Sequence, residues 1–184
     1  MADEAELDEG TLVVRAQEGD AEAFEVLMRR HGRPLYTLAL RILARPSDAE
    51  DAVQEAFISA WRRLPGFRAE SSFLTWMYRI VTNRALNIAR TRRPTVGLDE
   101  VPDRVLEGTA DNPERRAEGS AALKALREAM TTLTEEQRAC WVLREMHGLS
   151  YDEIAAAVGI GSSAVRGRIF RARQTLAEAM RPWT

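Results

Sequence analysis

Leu149-Ser-Tyr-Asp-Glu-Ile-Ala-Ala-Ala-Val-Gly-Ile-Gly-Ser-Ser-Ala-Val-Arg-Gly-Arg-Ile-Phe-Arg-Ala-Arg173 is the stretch whose reading decides the fold. Ser150 and Glu153 stand at capping-box spacing, which predicts a helix start. Gly159 and Gly161 punctuate a tight turn, and Ser162 or Ser163 is placed to cap a second helix. On a wheel of that helix, Val165, Ile169, Ala172 and Leu176 form one apolar stripe. Ser163, Arg166, Gly167, Phe170, Arg171 and Gln174 fall mainly on the opposite side, with Arg168 and Arg173 at its flanks. The stretch therefore reads as a helix-turn-helix. An exposed Phe among arginines suits a surface entering the major groove, where Arg reads guanine and an apolar group meets a thymine methyl. The plainer alternative is a small helical hairpin with a basic outer face.

Charge along the chain favours the first reading. The 184 residues carry a net charge of only −2, so the protein is no basic coat for DNA. The charge is segregated instead. Residues 71–98 hold five arginines and no acid, and residues 154–177 hold four arginines and no acid. The N-terminal tail and residues 99–118 are acidic. Two basic surfaces joined by an acidic connector predict two contacts with one polyanion. The single cysteine, Cys140, excludes an intramolecular disulfide and is expected to be a small buried residue. No apolar run approaches membrane-span length, and an acidic N-terminus is unlike a signal peptide. A soluble, cytoplasmic protein is expected.

The periodicity is helical throughout, so the fold class is all-α: two small helical domains joined by an extended linker. A short helix is predicted over 11–18. Gly19-Asp20 ends it and caps a second, where Phe24, Leu27, Met28, Leu35, Leu38 and Ile42 recur at helical spacing. Pro34 within that pattern predicts a break or kink near Gly32. Ser47 and Glu50 form another candidate capping box, opening a helix to about Leu64 with Val53, Phe57, Ala60 and Leu64 facing the core. Pro65-Gly66 stops it, and a loop leads to a helix over 73–92 with Met77, Ile80, Val81 and Ile88 inward. Residues 94–118, with three prolines, two glycines and seven acids, lack a sustained amphipathic repeat and read as linker. A helix resumes near 114–133, and Thr134 with Gln137 predicts a third capping box. The expected domains are thus 1–93 and 119–184, with the acidic linker at 94–118.

Two further faces stand out. On helix 48–64, Asp51, Glu55, Ile58 and Arg62 project away from the core stripe, with Gln54 beside them. An apolar centre ringed by carboxylates and an amide fits docking of a basic partner; a solvated face with one stray Ile is the alternative. On helix 73–92, Trp76, Arg79, Asn83, Asn87 and Arg90 share one side, a mix suited to stacking unpaired bases and holding phosphate. The preceding loop, 66–72, could pocket an extruded base. Trp76 could equally be a core residue. No catalytic set, phosphate-cradling loop or metal-ligand cluster can be assembled, so no catalytic residue, metal or cofactor is expected.

Three stretches in series resemble the extracytoplasmic-function group of bacterial sigma-70 sigma factors. They are Asp48-Ala-Glu-Asp-Ala-Val-Gln-Glu-Ala-Phe-Ile-Ser-Ala-Trp61; Phe67-Arg-Ala-Glu-Ser-Ser-Phe-Leu-Thr-Trp-Met-Tyr-Arg-Ile80 with Asn83; and Leu133-Thr-Glu-Glu-Gln-Arg138 through the helix-turn-helix. Their order, spacing and acidic linker match over nearly the entire chain. The resemblance implies a region 2 domain, a linker and a region 4 domain, acting as an initiation factor that carries core RNA polymerase to promoters and melts them. Asp48, Asp51, Gln54, Glu55 and Ile58 would dock on the clamp helices of the largest polymerase subunit, and the flap of the second subunit would be a further contact. Phe67, Arg68, Ser71, Ser72, Trp76, Arg79, Asn83, Asn87 and Arg90 would take the −10 element. Ser162, Ser163, Arg166, Gly167, Arg168, Phe170, Arg171 and Arg173 would take the −35 element, with Arg166, Phe170 and Arg171 nearest the bases. Promoter DNA and an anti-sigma factor are the other implied partners, with no membrane contact of the chain's own and a location at the nucleoid when in holoenzyme.

The chain departs from the family pattern in Ser162-Ser-Ala-Val165, where Gly-Thr-Val is more usual, and in Gly167, where a polar side chain is common. Little sequence follows the reading helix before Thr184, so no fused sensor domain is expected. The competing reading from another class is a free-standing helix-turn-helix regulator binding operators as a dimer. It needs neither a docking face at 48–62 nor a base-capturing loop, and no isologous apolar interface is apparent. An enzyme is a third reading and fails for want of a site.

Overall fold

The computed structural model describes residues 7–92 and 113–183, and among them there is no strand. The chain divides into two compact units, Met1–Arg92 and Arg93–Thr184. The linker expected at 94–118 lies outside the described residues as far as 112, and from Pro113 the chain is already helical.

The first unit contains α1 (Glu9–Gln17), α2 (Ala21–Leu43), α3 (Pro46–Arg63), a 3-10 turn (Leu64–Gly66) and α4 (Phe73–Thr91). Helices α2, α3 and α4 pack against one another, and α1 lies along α2. Asp8 caps α1, accepting from the Thr11 N–H. Asp20 caps α2, accepting from the Glu22 and Ala23 N–H groups, and these bonds, with Arg15, hold its carboxyl below the usual range. Gly19, at φ 95°, makes the reversal between them.

Several local expectations are corrected. Helix α2 runs unbroken through Pro34, because Leu27 and His31 before it and Leu35 and Leu38 after it are all buried in one core. That burial outweighs the one backbone bond Pro34 cannot make. The Ser47–Glu50 capping box does not form. Ala44 closes α2 in the left-handed region, and α3 starts earlier, with Pro46 at its first position, where φ is pre-set and the missing N–H costs nothing. The seam of α3 is built from small residues: Ala49, Ala52, Ala56 and Ala60 are fully buried beside Phe57, while Val53 is only half-buried. Met28 is likewise exposed at the edge of α2. Of the inward set on α4, Met77, Ile80 and Val81 are buried and Ile88 is half-buried.

The second unit contains α5 (Pro113–Thr132), α6 (Glu135–Glu145), α7 (Tyr151–Val158), α8 (Ser162–Met180) and a terminal 3-10 turn (Arg181–Trp183). Both expected capping boxes are present, Thr134 with Gln137 on α6 and Ser150 with Glu153 on α7. Gly159, at φ 75°, ends α7. Val165, Ile169, Ala172 and Leu176 are all buried, as the wheel predicts. Ala172 and Leu176 meet Ala129 and Leu133, with Leu126, Met130 and Trp141 packed around them. The N-cap of α8 is Gly161, without a side-chain bond, so neither Ser162 nor Ser163 caps it. The Ser162 hydroxyl donates instead to the Asp152 carboxylate, tying α8 to the start of α7.

Candidate polymerase and nucleic-acid interfaces

On the outer face of α3, Asp51, Gln54, Glu55 and Ile58 are exposed together, Ile58 at 47%. Asp48 does not join them. It is half-buried and ion-paired with Arg92 at the end of α4, so its charge is spent inside the unit. Glu55 Oε2 lies 3.8 Å from Arg84 Nη1. Beside this pair a groove between α3 and α4 is lined by Ile58, Ser59, Arg62 and Arg63.

On α4, Arg79, Asn83, Asn87 and Arg90 are all exposed along one side. The Asn87 amide donates to the Asn83 side-chain oxygen at 3.3 Å, and Arg90 donates to the Asn87 oxygen at 3.4 Å. These weak bonds hold the polar groups in line without burying them. Trp76 is half-buried: its ring lies 4.9 Å from Phe67 and 5.9 Å from Phe73, and Phe73 in turn is 5.5 Å from His31. Ser72 is the N-cap of α4, accepting from the Thr75 N–H, and Ser71 is half-buried beside it. Arg68 is exposed in the loop, and Ala69 adopts φ 55° there.

On α8, Ser163, Arg166, Phe170 and Arg171 are exposed, Phe170 at 61%, the most exposed large apolar residue described. Gly167 is half-buried between them. The Arg166 guanidinium sits 5.2 Å from the Tyr151 ring centre, which also takes Arg144 at 4.8 Å. The two flanking arginines are engaged within the unit. Arg173 is held by Glu145, with Nη2 at 2.6 Å and Nε at 3.2 Å, and this bond raises its pKa. Arg168 is half-buried beside the Cys140 thiol. Cys140 is fully buried, and burial pushes its thiol up to about 11 although Arg168 acts in the opposite direction.

Several contacts escaped the sequence reading, among them Asp48–Arg92, Arg173–Glu145, Arg166–Tyr151, and two bonds from Gln17 to the loop after α3. Each joins residues at least 15 positions apart, which helical periodicity does not link.

No cluster of metal-ligating side chains occurs among the described residues, and no helix among them is long and apolar enough to cross a membrane. The family model for Sigma-70 region 2 matches residues 27–95, and that for Sigma-70, region 4 matches residues 123–176. The chain is similar to the ECF RNA polymerase sigma-E factor of Escherichia coli K12, at 38% identity over 96% of both chains. It is similar to the RNA polymerase sigma-H factor of Pseudomonas aeruginosa, at 37% identity over 93% of both. Among solved structures, CnrH in complex with the cytosolic domain of CnrY superposes with a TM-score of 0.61 at 29% identity, over 92% of this chain and 95% of that one. The sigma factor RpoE of Bartonella quintana, solved with the anti-sigma factor NepR, shares the fold at a TM-score of 0.65 and 21% identity, over 85% of this chain and 96% of that one.

Proposed function

The chain belongs to the extracytoplasmic-function family of RNA polymerase sigma factors, and on that premise we propose how its surfaces divide the work. It is an alternative sigma factor that binds core RNA polymerase, recognises −35 and −10 promoter elements and promotes melting. Asp51, Gln54, Glu55 and Ile58 dock on the polymerase, and Asp48 supports that face through Arg92. The 66–72 loop with Trp76, Arg79, Asn83, Asn87 and Arg90 receives the −10 element as unpaired DNA. Arg166, Gly167, Phe170 and Arg171 meet the base edges of the −35 element. Ser163 sits at the first turn of α8, where a backbone phosphate is favoured. Arg168 and Arg173 face inward or into Glu145, so their part in phosphate binding is subordinate. The chain works by binding rather than by bond-making chemistry, in the cytoplasm at the nucleoid, and an anti-sigma factor is its third partner.

One observation carries the assignment of α8. The most exposed large apolar residue described, Phe170, stands between Arg166 and Arg171 on a helix whose opposite side is core. Leaving an aromatic ring in water is unfavourable unless a partner covers it, and the flanking arginines match that partner to the polyanion. The test is in vitro transcription with core polymerase on a promoter library. Selection of paired −35 and −10 motifs, with the −35 preference altered by Arg171→Ala, is expected. Transcription indifferent to the −35 sequence would overturn the assignment of α8.

A further inference from the structure

Helix α1 lies before residue 27, where the region 2 match begins, and none of its residues is assigned to DNA or polymerase above. Its last residue nonetheless reaches the promoter-opening surface. The side-chain amide of Gln17 donates two hydrogen bonds across 47 and 50 positions of sequence, to the Leu64 carbonyl at 3.1 Å and the Phe67 carbonyl at 2.7 Å. These carbonyls bracket the 3-10 turn, whose own closure is the Phe67 N–H to Leu64 bond at 3.0 Å. A primary amide has two N–H donors, so one Gln can grip both carbonyls at once, and a carboxylate of the same shape can grip neither.

Gln17 is itself well fixed. Arg15 clasps Asp20 through Nε at 2.8 Å and Nη2 at 2.6 Å, closing the turn just after Gln17. Glu9 lies 2.8 Å from His31 Nε2, and the His31 ring packs on Phe73 at the start of α4. Helix α1 thus touches the first end of the loop between α3 and α4 directly, and its second end only through His31 of α2. Between those ends the chain passes through Ala69 at φ 55°, a conformation costly for a residue with a Cβ, so the path must be imposed by surrounding contacts.

We propose that Gln17 is a positioning residue for promoter opening: its paired hydrogen bonds set the path of the 66–72 loop, and with it the place of Phe67 against Trp76, before DNA arrives. The proposal rests on the reading of that loop as the receiver of an unpaired base. Loss of Gln17 therefore leaves closed-complex binding alone and slows strand separation, because the loop must be ordered during opening instead of beforehand.

The experiment uses the full chain, free and in reconstituted holoenzyme. Gln17→Met removes the donors; Gln17→Glu sets a carboxylate against two carbonyl oxygens. Val13→Ala, on the core side of the same helix, controls for loss of stability at a matched margin below the melting temperature. Two readouts are taken: the rate of trypsin cleavage after Arg68 in the free chain, and permanganate reactivity of −10 thymines alongside gel-shift affinity. For both Gln17 variants cleavage is expected to rise about tenfold, the loss of two modest hydrogen bonds, and opening to fall by a similar factor. Gel-shift affinity on closed duplex should be unchanged, and Val13→Ala should show neither effect. Unaltered cleavage after Arg68 in the Gln17 variants overturns the proposal and leaves the base-capture reading intact, which Asn83→Ala then tests separately. Raised cleavage with normal opening overturns the proposal alone; the base-capture reading falls only if Asn83→Ala and Trp76→Ala also open the duplex normally. Equal effects from Val13→Ala reduce Gln17 to a stabilising residue and also overturn the proposal.

Discussion

The two surfaces assigned to promoter DNA are built on opposite plans. On α8 the residues proposed to read the −35 element stand on the outside of one regular helix, and what lies beneath them is a stripe of Val165, Ile169, Ala172 and Leu176 that any water-soluble bundle would bury. Phe170 touches water over most of its surface. On the first unit the corresponding aromatic, Trp76, is half-buried against Phe67 and Phe73, and the loop it supports is held by Gln17 from a distant helix. A duplex groove has a regular shape, so a straight helix can carry rigid side chains to it. An extruded base must be enclosed, which takes a loop packed into a definite form. The first surface is independent of its core, while the second is an extension of it.

Truncating the central aromatic of each surface separates the two plans most sharply. Trp76→Ala removes packed ring surface and should destabilise the first unit by about 2–3 kcal/mol, in addition to impairing opening. Phe170→Ala removes an exposed ring, so stability should stay within about 0.5 kcal/mol while −35 affinity falls. Thermal melts of the free protein beside −35 gel shifts check both. A Phe170→Ala variant that melts as early as Trp76→Ala would make Phe170 part of the fold. Trp76→Phe should recover most of the stability, and the opening that remains then measures what the indole itself contributes.

Next in size is a contrast within α8. Arg171→Ala should cost about 1–3 kcal/mol at one −35 position and little elsewhere, as expected when a base-reading Arg is lost. Arg173→Ala should weaken every sequence alike and by less, because Glu145 already engages that guanidinium. Glu145→Gln frees Arg173, and DNA affinity should rise across all sequences with a steeper salt dependence. Affinities over a −35 substitution series at two salt concentrations provide the measurement. Position-specific loss for Arg173→Ala would promote it to a reader.

The same contrast explains what could be read in advance. The capping boxes at Thr134 and Ser150, the stripe under α8 and the order of helices all follow from residues within one or two turns of each other, where chain geometry dictates who meets whom. Two local signals failed because a neighbour overrode them. Pro46 opened α3 before Ser47 could cap it, and Gly161 took the N-cap of α8, leaving Ser162 for Asp152. A wheel also places a side chain by direction alone. It put Arg168 and Arg173 at the rim of the reading face, but their length lets one turn in beside Cys140 and the other across to Glu145. Asp48, which only the family resemblance put on the docking face, is half-buried and paired with Arg92. On the loop, Gln17 carried no local signature at all, since its partners lie 47 and 50 positions on.

Beneath α8, Cys140 reports on the inward arginine. Its folded-state pKa of about 11 lies above the ordinary 9.0, so the unfolded chain gives up the thiol proton first as pH rises. The stabilisation is full below pH 9 and is lost between about pH 9 and pH 11, on the order of 2 kcal/mol over that window. Cys140→Ala should flatten this part of the stability profile, measured by urea unfolding at successive pH values. The native thiol should also react far more slowly with a thiolate-specific reagent at neutral pH than the unfolded chain does. Rapid modification without unfolding would mean that the α8 stripe opens locally, and that α8 is not a rigid carrier for its outer face.

The smallest effect concerns Gly167, the one position on the reading face without a side chain. Its backbone is ordinary helix, and a Cβ built there meets only the Arg171 guanidinium, at 3.6 Å from Nη1 and 3.9 Å from Nη2, which is normal contact. Nothing in the free protein requires glycine. Gly167→Ala should therefore stabilise the second unit by about 0.5–1 kcal/mol, the helix-interior difference between the two residues. If the glycine serves DNA, by letting the helix backbone approach the groove, the same methyl group should weaken −35 binding despite the added stability. If it is incidental, affinity should hold or improve as the methyl braces Arg171. A melting curve and a −35 gel shift on one variant decide between the two. A loss of stability would contradict both, and with them the view that this face of α8 is independent of the core beneath it.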